Sequence, residues 1–502
     1  MPCGESRIAP PGLPRAVLPL LLACQSPAAS AHSFGQLYSL PVPFWLYAWG
    51  ATAALLLSFL AAAYFLTAPA RTSTPWQREL GDHPLARLLV GRPLLALLRL
   101  ASLVSLGLCI ATGFWGNTNP YANFNMTLFW IVFLLGFGWL TALIGNWYAL
   151  INPWRLLADT LGRLWPRYQR GFLRYPTRLG IWPALLLYLL FIGVELFGHG
   201  TPLRLAWLLL GYTALNLLGA GLIGRRDWFA RCEFFSIWFR LVALMAPVEL
   251  RETQDAGAAH PTVRIVLRAP FAGLLQTRAA GWGELLFVLF MLSSTAFDGI
   301  HETLPWKRLF WGDFYQLLKP WVGDNVLAAV PVLQPWFLLW QKCALLLSPL
   351  LYLVVYLLFV QLSRWAAGSR HSLKELALRY AYPLLPIALV YHLSHYWTLI
   401  LSQGVKILAL ISDPFGRGAN WFGTAHWFQT TIIPDMAWVW HTQVALIVAG
   451  HVASVVVAHL VALRTFGSAR AATLSQLPML ALMVLFTAAG LWILAQPIQT
   501  GI

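Results

Sequence analysis

Long apolar runs constrain this chain more than any other feature. The 502 residues are 59% hydrophobic and only 10% charged, and several apolar runs are longer than about 18 residues. A helix of ~20 apolar residues crosses the ~30 Å hydrocarbon core of a bilayer. We therefore expect an all-α fold, a polytopic transmembrane helical bundle whose first partner is the lipid bilayer.

The runs predict about ten spans in one integral membrane domain, residues 32–502. The predicted spans lie near Pro43–Thr67, Pro93–Trp115, Met126–Leu150, Leu179–Phe197, Leu203–Ile223, Trp282–Phe297, Trp336–Leu362, Tyr380–Leu401, Trp438–Leu463 and Leu477–Ala495. The stretch Glu233–Pro247 is shorter and carries Arg240. We expect it to form an interfacial or re-entrant helix.

The first 31 residues have the pattern of a secretory signal peptide. Arg7 and Arg15 precede a short apolar core, and residues 29–31 read Ala-Ser-Ala, the small-x-small form of a cleavage site. Cleavage there removes residues 1–31 and leaves His32 as the mature first residue. The alternative is a lipoprotein signal that ends in a lipidated Cys24.

The positive charge of the chain lies between the apolar runs. A net charge of +16 in a soluble protein would suggest nucleic acid, but here the arginine-rich segments alternate with predicted spans. They fall in the loops that an outside N-terminus makes cytoplasmic, as the positive-inside rule requires. We predict a multi-pass protein with an extracytoplasmic mature N-terminus and no nucleic-acid partner.

The familiar motifs of soluble active sites are missing from the sequence. The five cysteines form no CxxC or CxxCH pattern, which argues against disulfides, structural zinc and c-type haem. There is no P-loop and no glycine-rich dinucleotide motif, so no nucleotide cofactor is expected.

Two histidines within one predicted span are the strongest candidates for chemistry. His392 and His395 lie three residues apart in the run Tyr380–Leu401, and an ionisable ring at membrane depth normally faces a bundle interior, a wet cavity or an ion. From a helical rise of ~1.5 Å per residue, His451 of the next span lies at a similar depth, so we expect the three rings to meet. His441 and His459 share the helical sector of His451.

A divalent transition metal is one interpretation of this set, with zinc or copper the most plausible ions. Neutral imidazoles and carboxylates from different helices form such sites. The predicted ligands are His392, His395, His451, His441, Glu195, His199 and His32. Three alternatives stay open: hydrogen bonds between helices, a proton or ion path, and a b-type haem.

His32 could chelate copper because a mature N-terminal histidine offers an amine together with an imidazole. The alternative is a residue that follows the cleavage site by chance.

The segment around Asp298 is the candidate catalytic element. Gly299 permits a tight turn at the outer end of its span, which would aim Asp298 back at a cavity. We predict catalytic roles for Asp298 and Glu302 as base or ligand, with His301 beside them. The alternative is a plain helix end with a solvated aspartate.

Several motifs resemble one family. They are the start Ala31-His32-Ser33-Phe34-Gly35-Gln36 with Leu40-Pro41-Val42-Pro43-Phe44-Trp45-Leu46-Tyr47, then Thr118-Asn119-Pro120, Ile151-Asn152-Pro153-Trp154-Arg155, Phe297-Asp298-Gly299, Tyr391-His392-Leu393-Ser394-His395-Tyr396 and Ser412-Asp413-Pro414-Phe415-Gly416. The chain resembles bacterial polytopic membrane proteins named fenitrothion hydrolase, from about Ala31 to the last span.

The resemblance implies a bacterial inner-membrane hydrolase of organophosphorus (thio)phosphotriesters that releases a nitrophenol. A metal-bound hydroxide would suit that reaction, and the substrate would be an apolar small molecule. The competing interpretation is a non-enzymatic transporter or a metal-handling subunit of a respiratory complex. A second subunit is a further possible partner.

Overall fold

The computed structural model describes residues 42–66, 75–81, 83–198, 200–253, 262–428 and 435–496. Within these ranges the protein is mainly helical, and eight helices are long and apolar enough to cross a membrane. The prediction of a mainly helical fold with several helices of membrane-spanning length is confirmed. The signal peptide, His32 and His199 lie outside the described residues.

The main helices follow in chain order. They are α1 (Phe44–Phe65), α2 (Arg92–Trp115), α3 (Phe124–Ile144), α4 (Trp182–Phe197), α5 (Pro202–Ile223), α6 (Phe234–Ala243), α7 (Trp282–His301), α8 (Val326–Ala366), α9 (Leu373–Arg379), α10 (Tyr382–His395), α11 (Trp397–Ser412), α12 (Met436–Thr465) and α13 (Ala469–Leu494). Shorter segments lie at Pro84–Leu89, Tyr148–Ile151, Pro153–Leu164, Pro166–Arg170, Arg225–Arg231, Ala272–Gln276, Leu304–Arg308 and Tyr315–Val322.

Local sequence explains where several helices begin. The Thr201 hydroxyl accepts a hydrogen bond from the backbone N–H of Arg204 at the start of α5, and Pro202 follows at the first helical position. Asp435 and Ser468 cap α12 and α13 in the same way. These caps satisfy backbone donors that the helices themselves leave unpaired.

Three predicted spans differ from the observed helices. α4 has only 16 residues, whereas α8 has 41 and runs through Pro331 and Pro335. The predicted span Tyr380–Leu401 is not one helix, because α10 ends at His395 and α11 begins at Trp397. Before the span, α9 meets α10 at a bend of 40°, where Pro383 lacks the N–H that a continuous helix needs. The short α6 confirms the prediction of a helix too short to span.

A small antiparallel sheet, which was not predicted from the sequence, accompanies the mainly helical fold. β1 (Gln77–Glu79), β2 (Val248–Thr253) and β3 (Thr262–Arg268) are ordered β1-β3-β2, with Arg251 opposite Arg264. β-Branched residues recur in β3, which favours a strand. Loops that are distant in sequence therefore join into one structured face at the predicted inner side.

α7 is the central helix of the bundle. Fifteen of its 20 residues are buried, whereas α2 buries only three of 24. It packs against α4, α8, α10 and α13. Any polar side chain on α7 is therefore enclosed by protein rather than lipid, and Asp298 is one of them.

Candidate functional site

Asp298 is the centre of the candidate site. Its side chain is almost completely buried on α7. The His395 Nε2 lies 2.8 Å from Asp298 Oδ2, and the Tyr396 hydroxyl donates to the same oxygen at 2.6 Å. When Asp298 is ionised it only accepts hydrogen bonds, and Nε2 of His395 is then the donor. The alternative of a helix end with a solvated aspartate is wrong, because Asp298 is buried. The tight turn predicted at Gly299 is also wrong, because α7 continues to His301.

His392 is held by different partners. The indole N–H of Trp139 donates to His392 Nδ1 at 3.1 Å, and an indole cannot accept. His392 is therefore neutral with its hydrogen on Nε2. The rings of Trp238 and Tyr396 pack edge-on against it, at centroid distances of 6.2 and 4.9 Å. The two histidines of the pair thus serve two separate hydrogen-bond systems.

Asp298, Tyr396 and His392 line one cavity, whose empty volume of about 450 Å³ is partly open to the surroundings. Its polar lining consists of Glu195, Ser294, Thr295, Asp298, His392 and Tyr396. Its remaining walls are aliphatic and aromatic, with Tyr188, Phe191, Phe234, Phe235 and Trp238 supplying the rings. A largely apolar cavity with a few converging polar groups is typical of small-molecule sites.

A buried glutamate that the sequence analysis missed positions one wall of this cavity. Glu233 caps α6 and accepts from its backbone N–H groups, including that of Ser236 at 2.7 Å. The hydroxyls of Tyr212 and Tyr148 donate to it at 2.5 and 3.3 Å, and the Asn152 amide approaches within 3.4 Å. The sequence signal that could have identified it is a glutamate placed directly before the aromatic residues Phe234 and Phe235. α6 is thereby anchored inside the bundle.

His301 and Glu302 belong to the end of α7 rather than to the cavity lining. His301 Nδ1 donates to the backbone carbonyl of Asp298 at 2.8 Å, and Nε2 lies 3.3 Å from Glu302 Oε1. Lys307 Nζ lies 3.4 Å from the other oxygen of Glu302. This cluster stabilises the helix end above Asp298.

The expectation that His451 meets the pair is wrong. His451 lines a second cavity on the other side of α7. His441 is exposed, with Nδ1 bonded to the Ala437 carbonyl at 2.6 Å and Nε2 3.4 Å from the Tyr47 hydroxyl. His459 contacts the Leu66 carbonyl instead. His441, His451 and His459 share one sector of α12, but each lies in different surroundings.

The positions of these side chains do not support the predicted metal site. Among the residues that the structure describes, no three His, Cys, Asp or Glu side chains come together in a group that could hold a metal ion. Of the seven predicted ligands, Glu195 and His392 line the first cavity. The described donors therefore do not fit an ion held by three protein ligands.

Neither a family model, nor a curated protein, nor a solved structure matches the chain.

Proposed function

We propose that this protein is a membrane-embedded hydrolase of apolar organophosphorus (thio)phosphotriesters, of the fenitrothion type, that releases a nitrophenol. One observation carries the proposal: a buried carboxylate, Asp298, is held by His395 and Tyr396 in the wall of an aromatic cavity within the bundle. The motif resemblance supports the same activity. A neutral triester suits such walls and partitions into a bilayer.

Asp298 is the general base of the proposed reaction. It takes a proton from a water molecule whose oxygen attacks phosphorus, while the phosphorus–oxygen bond to the aryl group breaks. A nitrophenolate leaves with the bonding electron pair and needs little protonation. His395 and Tyr396 position the carboxylate by binding one of its oxygens, which fixes the direction of the other.

His392 supplies a hydrogen-bond donor on the same cavity. Because Trp139 occupies Nδ1, the N–H at Nε2 is available to the phosphoryl oxygen or sulfur as negative charge develops there. Glu195 is a second carboxylate of the lining and can receive the proton from Asp298 through water. In the proposed reaction Asp298 is the base, His392 is the hydrogen-bond donor and Glu195 is the proton acceptor.

The experiment is release of nitrophenolate from a nitrophenyl thiophosphate triester by purified, detergent-solubilised protein. We expect Asp298→Asn to lower kcat by at least about 100-fold, within the usual range for a general base. Glu302→Gln removes a carboxylate four residues away that lies outside the lining, and it should retain most of the activity. Equal activity of wild type and Asp298→Asn would defeat the proposal.

Metal content measured on the same sample distinguishes a general-base mechanism from one that uses a metal-bound hydroxide. The proposed general base predicts that hydrolysis survives chelation. Loss of activity on chelation and its recovery with one ion would instead support the metal-bound hydroxide expected from sequence. If the lone protein is inactive, the assay is repeated with copurified neighbouring subunits, since a second subunit is the remaining way to complete the site.

We also propose a location and topology. The chain lies in the bacterial inner membrane with its mature N-terminus, His32, on the extracytoplasmic side. Ten crossings result if the eight long helices are joined by the bent pair α9–α10 and by α4. The arginine-rich loops support this arrangement.

A proton- or ion-coupled carrier is the second candidate function. The bend between α9 and α10 and the π-helical segment Thr127–Phe137 within α3 favour it, since broken helices and π-segments often occur at functional sites of membrane proteins. Accumulation of a solute in sealed vesicles without hydrolysis would support the carrier. Hydrolysis by solubilised protein would support the enzyme.

A further inference from the structure

A second cavity lies on the opposite side of α7 from Asp298. Its empty volume is about 420 Å³, part of it open to the surroundings. Leu292 and Ala296 of α7 face it, whereas Thr295 and Asp298 face the first cavity. Aromatic rings from Tyr352 and Phe486 and aliphatic side chains form most of its wall.

Two of the residues that line this cavity each carry a buried polar atom with no hydrogen-bond partner among the described residues. These atoms are the hydroxyl oxygen of Tyr391 and Nε2 of His451. Both side chains belong to residues that are more than nine-tenths buried, with exposed fractions of 6% and 2%. A buried polar atom without a partner costs free energy that a ligand can return.

The chemical state of His451 follows from its other nitrogen. Nδ1 lies 2.8 Å from the backbone carbonyl of Ile447, and a carbonyl oxygen only accepts. Nδ1 therefore carries the hydrogen, and Nε2 presents a lone pair. The Tyr391 hydroxyl can both donate and accept. No charged side chain of the described chain lines the cavity, so that a neutral ligand is favoured.

We propose that this cavity binds a small neutral hydroxyl compound of about one aromatic ring, with phenol as the simplest member. Its hydroxyl donates to His451 Nε2 and accepts from the Tyr391 hydroxyl, and its ring packs against Phe486 and Tyr352. A pair of one acceptor and one donor selects a hydroxyl group over an ether or a hydrocarbon of the same shape.

The nitrophenol released in the proposed hydrolysis belongs to this class. If that function holds, which this step assumes, the second cavity is a site for the product beside the reaction cavity. The binding site itself does not depend on hydrolysis, because it is defined by His451, Tyr391 and the apolar wall.

The test is a ¹⁹F NMR titration of the purified, full-length protein in detergent with 4-fluorophenol and, separately, 4-fluorotoluene. The two probes have nearly the same shape, and only the phenol carries a hydroxyl. Spectra of the same detergent without protein correct for partitioning into micelles. We expect saturable binding of the phenol, about tenfold tighter than that of the toluene, as two net hydrogen bonds allow.

Two variants remove one polar atom each. Tyr391→Phe deletes only the hydroxyl, and His451→Asn keeps a donor for the Ile447 carbonyl but removes the Nε2 lone pair. Each should weaken 4-fluorophenol binding by about fivefold and leave 4-fluorotoluene unchanged. His459→Asn makes the same change on the same helix outside this cavity, and it should bind both probes as wild type does.

Equal affinities for the two probes, or phenol binding that neither variant weakens, would overturn the assignment, as would the absence of saturable binding. Thermal unfolding of each variant in the same detergent shows that it is folded. The titration needs no turnover. A failed titration with intact hydrolysis therefore refutes this site alone, and a failed hydrolysis with phenol binding refutes only the product role.

Discussion

At the residue scale, one carboxylate organises the site. Asp298 receives hydrogen bonds from His395 and Tyr396, which are neighbours at the end of α10. His392, one turn earlier, is instead held by Trp139. The two histidines, three residues apart, therefore have different partners: His392 contacts Trp139 of α3, and His395 contacts Asp298 of α7.

Asp298→Ala should destabilise the protein by about 3 kcal/mol, since it leaves the buried donors of His395 and Tyr396 without an acceptor. Asp298→Asn keeps an acceptor oxygen and should cost less, about 1 kcal/mol. The measurement is the midpoint of thermal unfolding in detergent. Glu302→Ala, at a partly exposed ion pair, is the control and should cost under about 1 kcal/mol. Equal midpoints for all three variants would contradict the assigned bonds.

Cys232 provides a prediction about pH. It lies outside the long spans with 1% of its surface exposed, and burial raises the pKa of its thiol to about 11, an effect that a hydrogen bond with Tyr175 partly offsets. The thiolate is the reactive form, so labelling of the native protein should be slow at pH 8 and should accelerate as the pH rises toward 11.

The measurement for Cys232 is maleimide labelling of a variant in which the other four cysteines are replaced by serine. The denatured variant should label rapidly at pH 8 and is the control. Labelling of the native protein at the denatured rate would show that the thiol is not enclosed as described.

At the element scale, the short helix α6 forms a wall of the first cavity because two features hold it inside the bundle. Glu233 binds its N-terminus, as described above. Trp238, in the middle of α6, lies directly over Gly138 of α3, where an added Cβ would come within 2.5 Å of the ring. A glycine is required at that crossing by the close approach of the two helices.

Gly138→Ala should therefore displace the ring of Trp238, which packs against His392. We expect a destabilisation of about 1–3 kcal/mol, typical of overpacking, and a loss of hydrolytic activity. Gly136→Ala is the matched control on the same helix, because its added Cβ meets no atom closer than 3.4 Å. Similar unfolding midpoints and activities for the two variants would show that α3 and α6 do not approach so closely.

At the scale of the whole molecule, the helices enclose two cavities on the two sides of α7, and the small sheet ties distant loops together. α1 packs against α12 and α13, so that the chain closes on itself. The described helices thus pack as one bundle around α7.

The proposed topology predicts the location of the loops. A reporter active only outside the cytoplasm should work when fused in the loop after α7, and it should fail when fused in the sheet loop between β2 and β3. The mature protein should begin at His32 in an intact-mass measurement. A lipidated Cys24 at the N-terminus, or the reverse reporter pattern, would refute the proposed signal cleavage or orientation.

The sequence by itself determined the helical membrane class, because apolar runs of membrane length have few other folds in lipid. It also identified His392, His395 and Asp298, since ionisable groups in such runs are conspicuous. The three strands were missed because short segments form a sheet only when loops distant in sequence meet.

Only the tertiary structure decided which polar groups meet. Depth along a helix is readable from sequence, but the neighbours of a side chain depend on how helices rotate and pack. Packing brought His395 to Asp298 and sent His451 to a different cavity. It also buried Glu233 among tyrosines from two other segments. Helix packing therefore divided the described candidate ligands among several surroundings, which no pattern within a single helix encodes.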